Sequence, residues 1–294
     1  MLFRSIWIFL SKKLENDPDN SGDILKEYLK RLIHPLLIVE FLNVFLNMIK
    51  CMITVEVFDW NGWLLDNIKH FFFYPYGAMW YVQASIIGVI IMYPFWKKGR
   101  MFTAFIIALI LYDFALISNN YWFLVTQTPL ENLVRRYTDI FISSRNGVFV
   151  GFLYMTIGWF CVKYKDIFRN MKRKIKCIMY ILALCCYIFE IFYLWNKPSI
   201  DDGALYLTHI IVIPLLVLTF LETKNYKDNT KRVRKLSTEM YFSHRAVLVA
   251  VEIILILNDV TYPGYMIFAI VLVVCILLSI LKERYFCIYM KMKK

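Results

Sequence analysis

Residues 262–281 read YPGYMIFAIVLVVCILLSIL, and no side chain in this run is charged. An α-helix rises about 1.5 Å per residue, so about 20 apolar residues cross a hydrocarbon layer of about 30 Å. The run is therefore long and apolar enough to predict a membrane-spanning helix. The basic tail KERYFCIYMKMKK follows it, and such tails are typical of the cytoplasmic end of a span.

Seven further stretches have the same apolar character. The predicted spans are 33–56, 76–96, 101–118, 146–162, 177–195, 204–221, 239–258 and 262–281. No segment shows the ten-residue alternation of a membrane β-barrel. The composition, 60% hydrophobic and only 19% charged, gives more apolar surface than one soluble core could hide. The sequence predicts an all-α polytopic membrane protein of about eight transmembrane helices, a single domain over 1–294 with 1–32 as a cytoplasmic lead-in.

The distribution of Lys and Arg between the spans predicts their orientation. Segments 1–32, 97–100, 163–176, 222–236 and 282–294 together hold 27 of these residues. The alternate segments 57–75, 119–145, 196–203 and 259–261 hold 5. Cytoplasmic loops carry the excess of Lys and Arg, so we expect both termini in the cytoplasm of an inner or plasma membrane. The Lys and Arg residues responsible for the net charge of +12 then lie mostly on cytoplasmic segments, where they face anionic membrane lipids. We therefore expect membrane lipids and not nucleic acid as the partner of this charge.

Metal, disulfide and hydrolase chemistry have no signature in this sequence. The seven cysteines form no C-x-x-C pair and lie mostly in apolar stretches, so we interpret them as small apolar residues. The H-E-x-x-H zinc motif, a glycine-rich phosphate loop and the G-x-S-x-G nucleophile elbow do not occur. We therefore expect no metal cofactor.

Four carboxylates in the predicted spans, those of Glu40, Asp113, Glu190 and Glu252, need an explanation because charge is costly in hydrocarbon. We expect Glu40 and Asp113 to lie near the interface or to pair with another helix. Glu190 lies near the outer end of its span, where it could reach the interface. Glu252 is deeper, and two interpretations stay open: a functional group, or a structural hydrogen bond to a neighbouring helix.

Among four histidines, His244 has the most interesting surroundings. It follows Tyr241 by three residues, which places both on one helix face. A neutral imidazole near a bilayer boundary can accept a proton from a hydroxyl, although a backbone carbonyl or headgroup water could equally satisfy it. We expect His209 to form a helix-to-helix hydrogen bond, and His34 and His70 to be solvated at the interface.

Four stretches, in order, resemble the acyltransferase 3 family of integral membrane O-acyltransferases. They are YLKRLIHPLLIVEFL (28–42), GAMWYVQASIIGVIIMYPF (77–95), RNGVFVGFLYMTIGWF (145–160) and STEMYFSHRAVL (237–248). The residues that carry the resemblance are Lys30, Arg31 and Pro35, then Trp80 and Tyr81, then Arg145, Asn146, Gly147 and Gly158, and finally Ser237, Tyr241 and His244. Together they extend over most of the chain.

The resemblance implies that an acyl group, usually acetyl, passes from cytoplasmic acyl-CoA to a hydroxyl of a glycan or lipid-linked sugar. Such O-acetylation belongs to polysaccharide biosynthesis in the bacterial cell envelope. It also implies a site with His244 as an acid/base or orienting group and Arg145 as a donor toward the acceptor or a structural clamp. The implied substrate-binding residues are Trp80, Tyr81, Tyr241 and Asn146.

Two basic features have a further interpretation. The predicted topology places Arg145 at the outer interface, where we expect its guanidinium to snorkel toward water. The tract KRVRK, 231–235, could contact the phosphates of CoA or could anchor its loop to lipid, and both interpretations stay open.

The sequence departs from the family at its start. Family members usually begin with a helix carrying an arginine and, about ten residues on, the histidine regarded as catalytic. The first dozen residues here resemble the tail of the second helix, and Ala78 stands where the family often has histidine. Either the start is misplaced or truncated, or transferase activity has been lost. We expect the coding region directly upstream to encode a span with such an Arg and His.

Two other functions are considered beside the transferase. A non-enzymatic polytopic protein of glycan export would more often show repeated halves or helices broken near mid-membrane, and Pro214 is the one strong mid-span breaker in the sequence. A glycan polymerase would carry a large arginine-rich outer loop, whereas 119–145 holds only Arg135, Arg136 and Arg145. The acceptor sugar, the acyl chain and the oligomeric state are not determined by the sequence.

Overall fold

The computed structural model describes residues 10–11, 13–55, 59–199, 204–222 and 229–292. The helices within these ranges are α1 Ser21–Thr54, α2 Trp60–Phe72, α3 Trp80–Lys97, α4 Met101–Ile117, α5 Pro129–Phe141, α6 Phe152–Asn170, α7 Arg173–Leu194, α8 His209–Glu222, α9 Asn229–Leu257 and α10 Gly264–Met292. Short 3₁₀ turns at Gly77–Met79 and Trp122–Leu124 precede α3 and α5, and a π-helical turn at Gly147–Gly151 leads into α6.

Apolar helices confirm the predicted all-α polytopic membrane architecture. Among the described residues, six helical stretches are long and apolar enough to cross a membrane: Ser21–Thr54, Gly77–Lys97, Gly147–Asn170, Arg173–Leu194, Leu236–Leu257 and Gly264–Lys282. Two shorter apolar helices, Met101–Ile117 and His209–Thr219, lie where two further spans are predicted. The count of eight spans and the orientation of the termini stay predictions.

The first span begins earlier than its hydropathy indicates. Helix α1 starts at Ser21, twelve residues before the apolar run predicted from residue 33. Residues 24–32 are mostly good helix formers, and Glu27 forms an ion pair with Arg31 one turn later. Part of the predicted lead-in is therefore continuous with the span, while residues 1–9 lie outside the described part of the chain.

The exterior of the bundle is apolar. Large side chains on several helices are mostly exposed, with exposed fractions of 70% for Phe102, 72% for Phe189 and 67% for Phe268. A protein in water rarely leaves such surfaces uncovered, whereas acyl chains cover them in a bilayer. The surface therefore agrees with the hydropathy of the sequence.

A contact between small residues packs α3 against the beginning of α6. A Cβ atom on Gly151 would lie 2.1 Å from the carbonyl oxygen of Ala84, and one on Gly147 would lie 2.2 Å from the Cβ of Ile87. Gly88 on α3 faces the Gly151 backbone in the same way. Small residues four apart let two backbones approach closely inside a membrane. This contact places Arg145, just before the π-helical turn, against the start of α3.

Glu190 holds the beginning of α8 in place. Its carboxylate accepts the backbone N–H groups of Leu207 and Thr208 at 2.6 and 2.9 Å, and the hydroxyls of Tyr121 and Thr208 also donate to it. The residue is only 7% exposed. The free N–H groups at the start of α8 thus bind the carboxylate, and the prediction that Glu190 lies at the depth of the interface stays a prediction.

Glu252 joins α9 to α1. Its Oε2 atom lies 2.8 Å from the Nζ atom of Lys50, and the two side chains are 29% and 33% exposed. Of the two interpretations that the sequence left open for Glu252, this contact favours the structural link between helices.

Candidate functional site

The chain between α2 and α3 turns inside the bundle. The backbone N–H of Tyr76 donates to Oε2 of Glu40 at 3.4 Å, and Glu40 lies near the middle of the 34-residue helix α1. Residues 73–79, which we name the interior turn, therefore lie at the depth of the centre of α1. Backbone that is not α-helical at such depth needs hydrogen-bond partners from the protein.

Side chains from several elements supply these partners. Around the interior turn, Gln83 Nε2 donates to the Phe72 carbonyl at 2.6 Å, His70 Nδ1 to the Tyr74 carbonyl at 2.8 Å, and the Tyr241 hydroxyl to the Ala78 carbonyl. Glu40 is 1% exposed, so its contact with the Tyr76 N–H is shielded from water. His70 binds the backbone of the turn through Nδ1 and is partly exposed, and its interfacial solvation stays a prediction. Glu40 was expected near the interface or paired with another helix, and the observed partner is the backbone of the turn between α2 and α3.

Arg145 lies over two aromatic rings at this turn. Its guanidinium carbon is 5.4 Å from the ring centre of Tyr74 and 5.5 Å from that of Trp80. These distances are those of cation–π contacts, which strengthen when water is excluded. Tyr81 stacks on Trp80 with ring centres 3.7 Å apart and is 42% exposed. The buried guanidinium of Arg145 therefore lies next to Trp80, and the exposed ring of Tyr81 stacks on the same Trp80.

The prediction that Arg145 snorkels toward water is wrong. The residue is 6% exposed. The glycine contact between α3 and α6 holds residues 143–145 close to Trp80, so the side chain points into the aromatic cluster. The two rings contribute to the tolerance for this buried charge.

Asn146 caps the turn that follows Arg145. Its Oδ1 accepts the N–H groups of Val148 and Phe149 at 3.0 and 3.3 Å, while its Nδ2 donates to the Tyr137 hydroxyl at 2.8 Å. These contacts fix the π-helical turn and hence the backbone at Arg145. The predicted substrate-binding role of Asn146 stays a prediction.

His244 lies on α9, three residues after Tyr241, whose hydroxyl donates to the interior turn at Ala78. Its Nδ1 is 2.6 Å from the carbonyl oxygen of Tyr241, and the two rings are 5.9 Å apart. A neutral imidazole that donates from Nδ1 to this carbonyl keeps a lone pair on Nε2, which can accept a proton. The backbone-carbonyl partner considered from the sequence is observed, and it is compatible with acid/base chemistry at the other nitrogen.

Arg245, the neighbour of His244, packs directly on the interior turn. A Cβ atom at Gly77 would lie 3.0 Å from Cδ of Arg245, and Gly77 has a φ of +63°. This left-handed conformation and the missing side chain both favour glycine at the position. Helix α9 therefore contacts the interior turn through Tyr241 and Arg245.

The chain matches one family over most of its length. A family model described as an acyltransferase domain matches residues 8–284. The chain belongs to the acyltransferase 3 family. The match supports an acyltransferase activity for this multi-pass membrane protein.

One curated relative of this acyltransferase 3 protein is an amino-acid racemase of Enterococcus faecalis, 30% identical over 115 residues. The alignment covers 38% of this chain and 15% of the racemase. Because the alignment covers so small a part of the racemase, racemase activity is not assigned to this chain. No solved structure matches the chain.

The four stretches that resemble the family meet at the interior turn of this acyltransferase 3 protein. Trp80 lies at its end, Arg145 packs on Trp80, and Tyr241 bonds to Ala78. Glu40, from the first stretch, bonds to Tyr76. The interior turn and the adjoining Trp80 contact Arg145 on one element, and the turn contacts α9, which carries His244, through Ala78.

Several residues of the site were not predicted from the sequence. Tyr74 and Gln83 are ordinary members of an aromatic and an apolar run, and no local signal distinguishes them. The run Tyr-Pro-Tyr-Gly at 74–77 is a turn signal, and its last two residues fall within the predicted span 76–96. Within the described ranges no group of three or more His, Cys, Asp or Glu side chains could hold a metal ion. The side chains of the tract at 231–235 lie outside the described part of the chain.

Proposed function

We propose that this acyltransferase 3 protein transfers an acetyl or other acyl group from acyl-CoA to a hydroxyl of a surface polysaccharide or lipid-linked sugar. The observation that supports the proposal best is the buried guanidinium of Arg145 over Tyr74 and Trp80, next to the exposed ring of Tyr81. A fixed cation in a water-poor site stabilises a developing oxyanion strongly.

The proposed reaction forms an ester and releases a thiol. The acceptor hydroxyl attacks the thioester carbonyl, its C–O bond forms as the C–S bond breaks, and the hydroxyl proton leaves to a base. In this proposal His244 acts through Nε2 as an auxiliary acid/base or orienting group, and Arg145 donates to the oxyanion or the acceptor. Trp80 and Tyr81 pack against the sugar, with Tyr241 and Asn146 lining the same pocket.

The proposed location is an inner or plasma membrane with both termini in the cytoplasm. The excess of Lys and Arg on alternate connecting segments supports this orientation. In that orientation the tract KRVRK at 231–235 faces cytoplasmic acyl-CoA, whose phosphates suit Lys and Arg. The proposed partners are membrane lipids and the glycan acceptor.

Labelled acetyl-CoA provides the test. Membranes that contain the protein, expressed with and without the coding region directly upstream, are incubated with radiolabelled acetyl-CoA and purified surface glycan. We expect label in the glycan that base hydrolysis releases as acetate, and loss of most label in R145Q and H244N. The matched control R136Q changes an exposed arginine of α5 and should retain transfer. The absence of transfer even with the upstream region present would reject the proposal.

A second candidate is a non-enzymatic component of glycan export. The observation that favours it is the interior turn, because many transporters break helices near the bilayer midplane around a substrate. Deletion of the gene would then stop export of the glycan while its acetylation continues in isolated membranes. Loss of acetylation with normal export would instead support the transferase.

A further inference from the structure

Helix α2 presents its apolar residues to the outside of the protein. Trp60, Leu64, Ile68 and Phe72 follow one another at intervals of four, so they form a stripe along one side of the helix. Their exposed fractions are 57%, 54%, 45% and 62%. We name these four residues the α2 stripe.

Two polar side chains of α2, Asn67 and His70, contact the protein, whereas Asp66 is exposed on a side of the helix away from the stripe. Asn67 is 6% exposed, donates to the Trp63 carbonyl at 2.7 Å and accepts the Tyr76 hydroxyl at 3.2 Å. His70 stacks on Tyr76 at 4.1 Å between ring centres. An amphipathic helix on a protein in water has the opposite arrangement, with its apolar side against the protein and its polar side outward. The arrangement in α2 is the one that an apolar surrounding favours.

The C-terminal end of α2 lies beside the membrane-facing side of α1. The rings of Phe71 and Phe41 are 5.7 Å apart, and Phe41 is 65% exposed within a candidate span. Directly after α2, the interior turn reaches Glu40 at the centre of that span. The α2 stripe is thus continuous with an apolar surface that a spanning helix turns toward lipid.

The N-terminal end of α2 has a different character. Asp59 caps the helix by accepting the backbone N–H of Asn61 at 3.0 Å, and both residues are exposed. Trp60 follows at once, and tryptophan is enriched where hydrocarbon meets headgroups. Helix α2 thus has polar groups at its first end, and at its last end a phenylalanine contacts α1 within the candidate span. This arrangement indicates a helix that descends into the bilayer.

We propose that α2 is a re-entrant helix whose stripe contacts the acyl chains of the lipid bilayer, with Phe72 deeper than Trp60. The backbone of α2 satisfies its own hydrogen bonds, so this side of the helix can face lipid without cost from unpaired polar groups. The described part of segment 57–75, residues 59–75, then lies largely inside the membrane, although its low charge predicts an outer loop. The inference is independent of the proposed acyl transfer.

Depth-dependent fluorescence quenching tests the proposal. Single cysteines L64C, I68C and F72C are introduced into full-length protein in which Cys51, Cys177, Cys185, Cys186 and Cys287 are replaced by serine, while Cys161 and Cys275 are buried. Each variant is labelled with NBD and reconstituted into phosphatidylcholine vesicles. The matched control is R136C on α5, an exposed polar position. We expect lipids with a nitroxide at acyl carbon 12 to quench NBD at position 72 at least about threefold more than at position 136. At position 64, a nitroxide at carbon 5 should quench more strongly than one at carbon 12.

Two outcomes would overturn the proposal. Strong quenching by aqueous iodide with little effect of nitroxide lipids would place the stripe in water. Photocrosslinking provides a second measurement that needs no cysteine replacement, with p-benzoylphenylalanine at positions 64, 68 and 72 of the otherwise unchanged chain. Adducts to radiolabelled lipid are expected, whereas predominant covalent dimers would show that a second copy of the chain covers the stripe.

Discussion

The guanidinium of Arg145 and the indole ring of Trp80 lie 5.5 Å apart, although 65 positions separate them in the chain. Two packing features produce this contact. The small-residue contact of Gly147 and Gly151 with α3 brings the start of α6 to the start of α3. The interior turn brings Trp80 itself into the bundle. The cation–π contact therefore depends on backbone geometry at both ends.

Replacement of Arg145 by lysine should reduce acyl transfer at least about tenfold. The charge remains, but the planar guanidinium that stacks on rings and donates in a fork is lost. A desolvated cation–π contact is worth about 2 kcal/mol, and about 1.4 kcal/mol corresponds to a factor of ten in rate. The measurement is the initial rate of acetyl transfer at saturating acetyl-CoA.

R136K in α5 is the control for this substitution. It is the same chemical change at an exposed arginine, where we expect no effect on acyl transfer. Equal rates for R145K and the unsubstituted protein would show that Arg145 contributes charge alone. An equal loss in R145K and R136K would show that the assay reports a general effect of arginine content.

Gly151→Ala should destabilise the folded protein by about 1 to 3 kcal/mol. The added Cβ would lie 2.1 Å from the Ala84 carbonyl oxygen, a backbone atom that can move only if α3 moves. Gly264→Ala is the matched control, since nothing lies within 4 Å of a Cβ at that position. Thermal unfolding in detergent, followed by tryptophan fluorescence, should show a lower midpoint for G151A alone. Equal midpoints would contradict the close approach of the two helices.

The fold was largely predictable because membrane spans have a strong local signal. A charge-free run such as 262–281 identifies a span without any knowledge of its neighbours. The end of a span is less predictable where polar helix formers continue the helix, as in α1 before residue 33. The role of α2 was missed for a related reason, since thirteen residues are too few for the span criterion and give no sign of depth.

The candidate site was predictable only in part. The resemblance identified Trp80, Arg145 and Tyr241, but spacing along the chain contains no information on which of them touch. The predicted topology places Arg145 at the outer interface because it lies just before a predicted span. The sequence does not show that the glycine contact between α3 and α6 buries its side chain within the protein. Tyr74 could not be singled out, since its role arises only when the interior turn places it beside an arginine 71 positions away.

Tyr241→Phe should weaken the interior turn and raise the KM for the acceptor glycan more than it lowers kcat. The hydroxyl donates to the Ala78 carbonyl, and its removal leaves that acceptor without its partner, at a cost of about 1 to 3 kcal/mol. Tyr265→Phe is the control because Tyr265 is 74% exposed at the start of α10. A loss confined to kcat would instead assign the Tyr241 hydroxyl to the chemical step.

Charge reversal across α1 and α9 should reveal their pairing. Lys50 and Glu252 are 2.8 Å apart in a partly buried position. K50E alone places two carboxylates there, and E252K alone places two ammonium groups there. Each single variant should therefore lower the midpoint of thermal unfolding. The double variant K50E/E252K restores opposite charges and should recover most of the loss. The coupling from this double-mutant cycle should reach at least about 0.5 kcal/mol, the lower limit for residues in contact. Additive losses in the double variant would mean that Lys50 and Glu252 do not pair in the membrane, and Glu252 would then return as a candidate functional group.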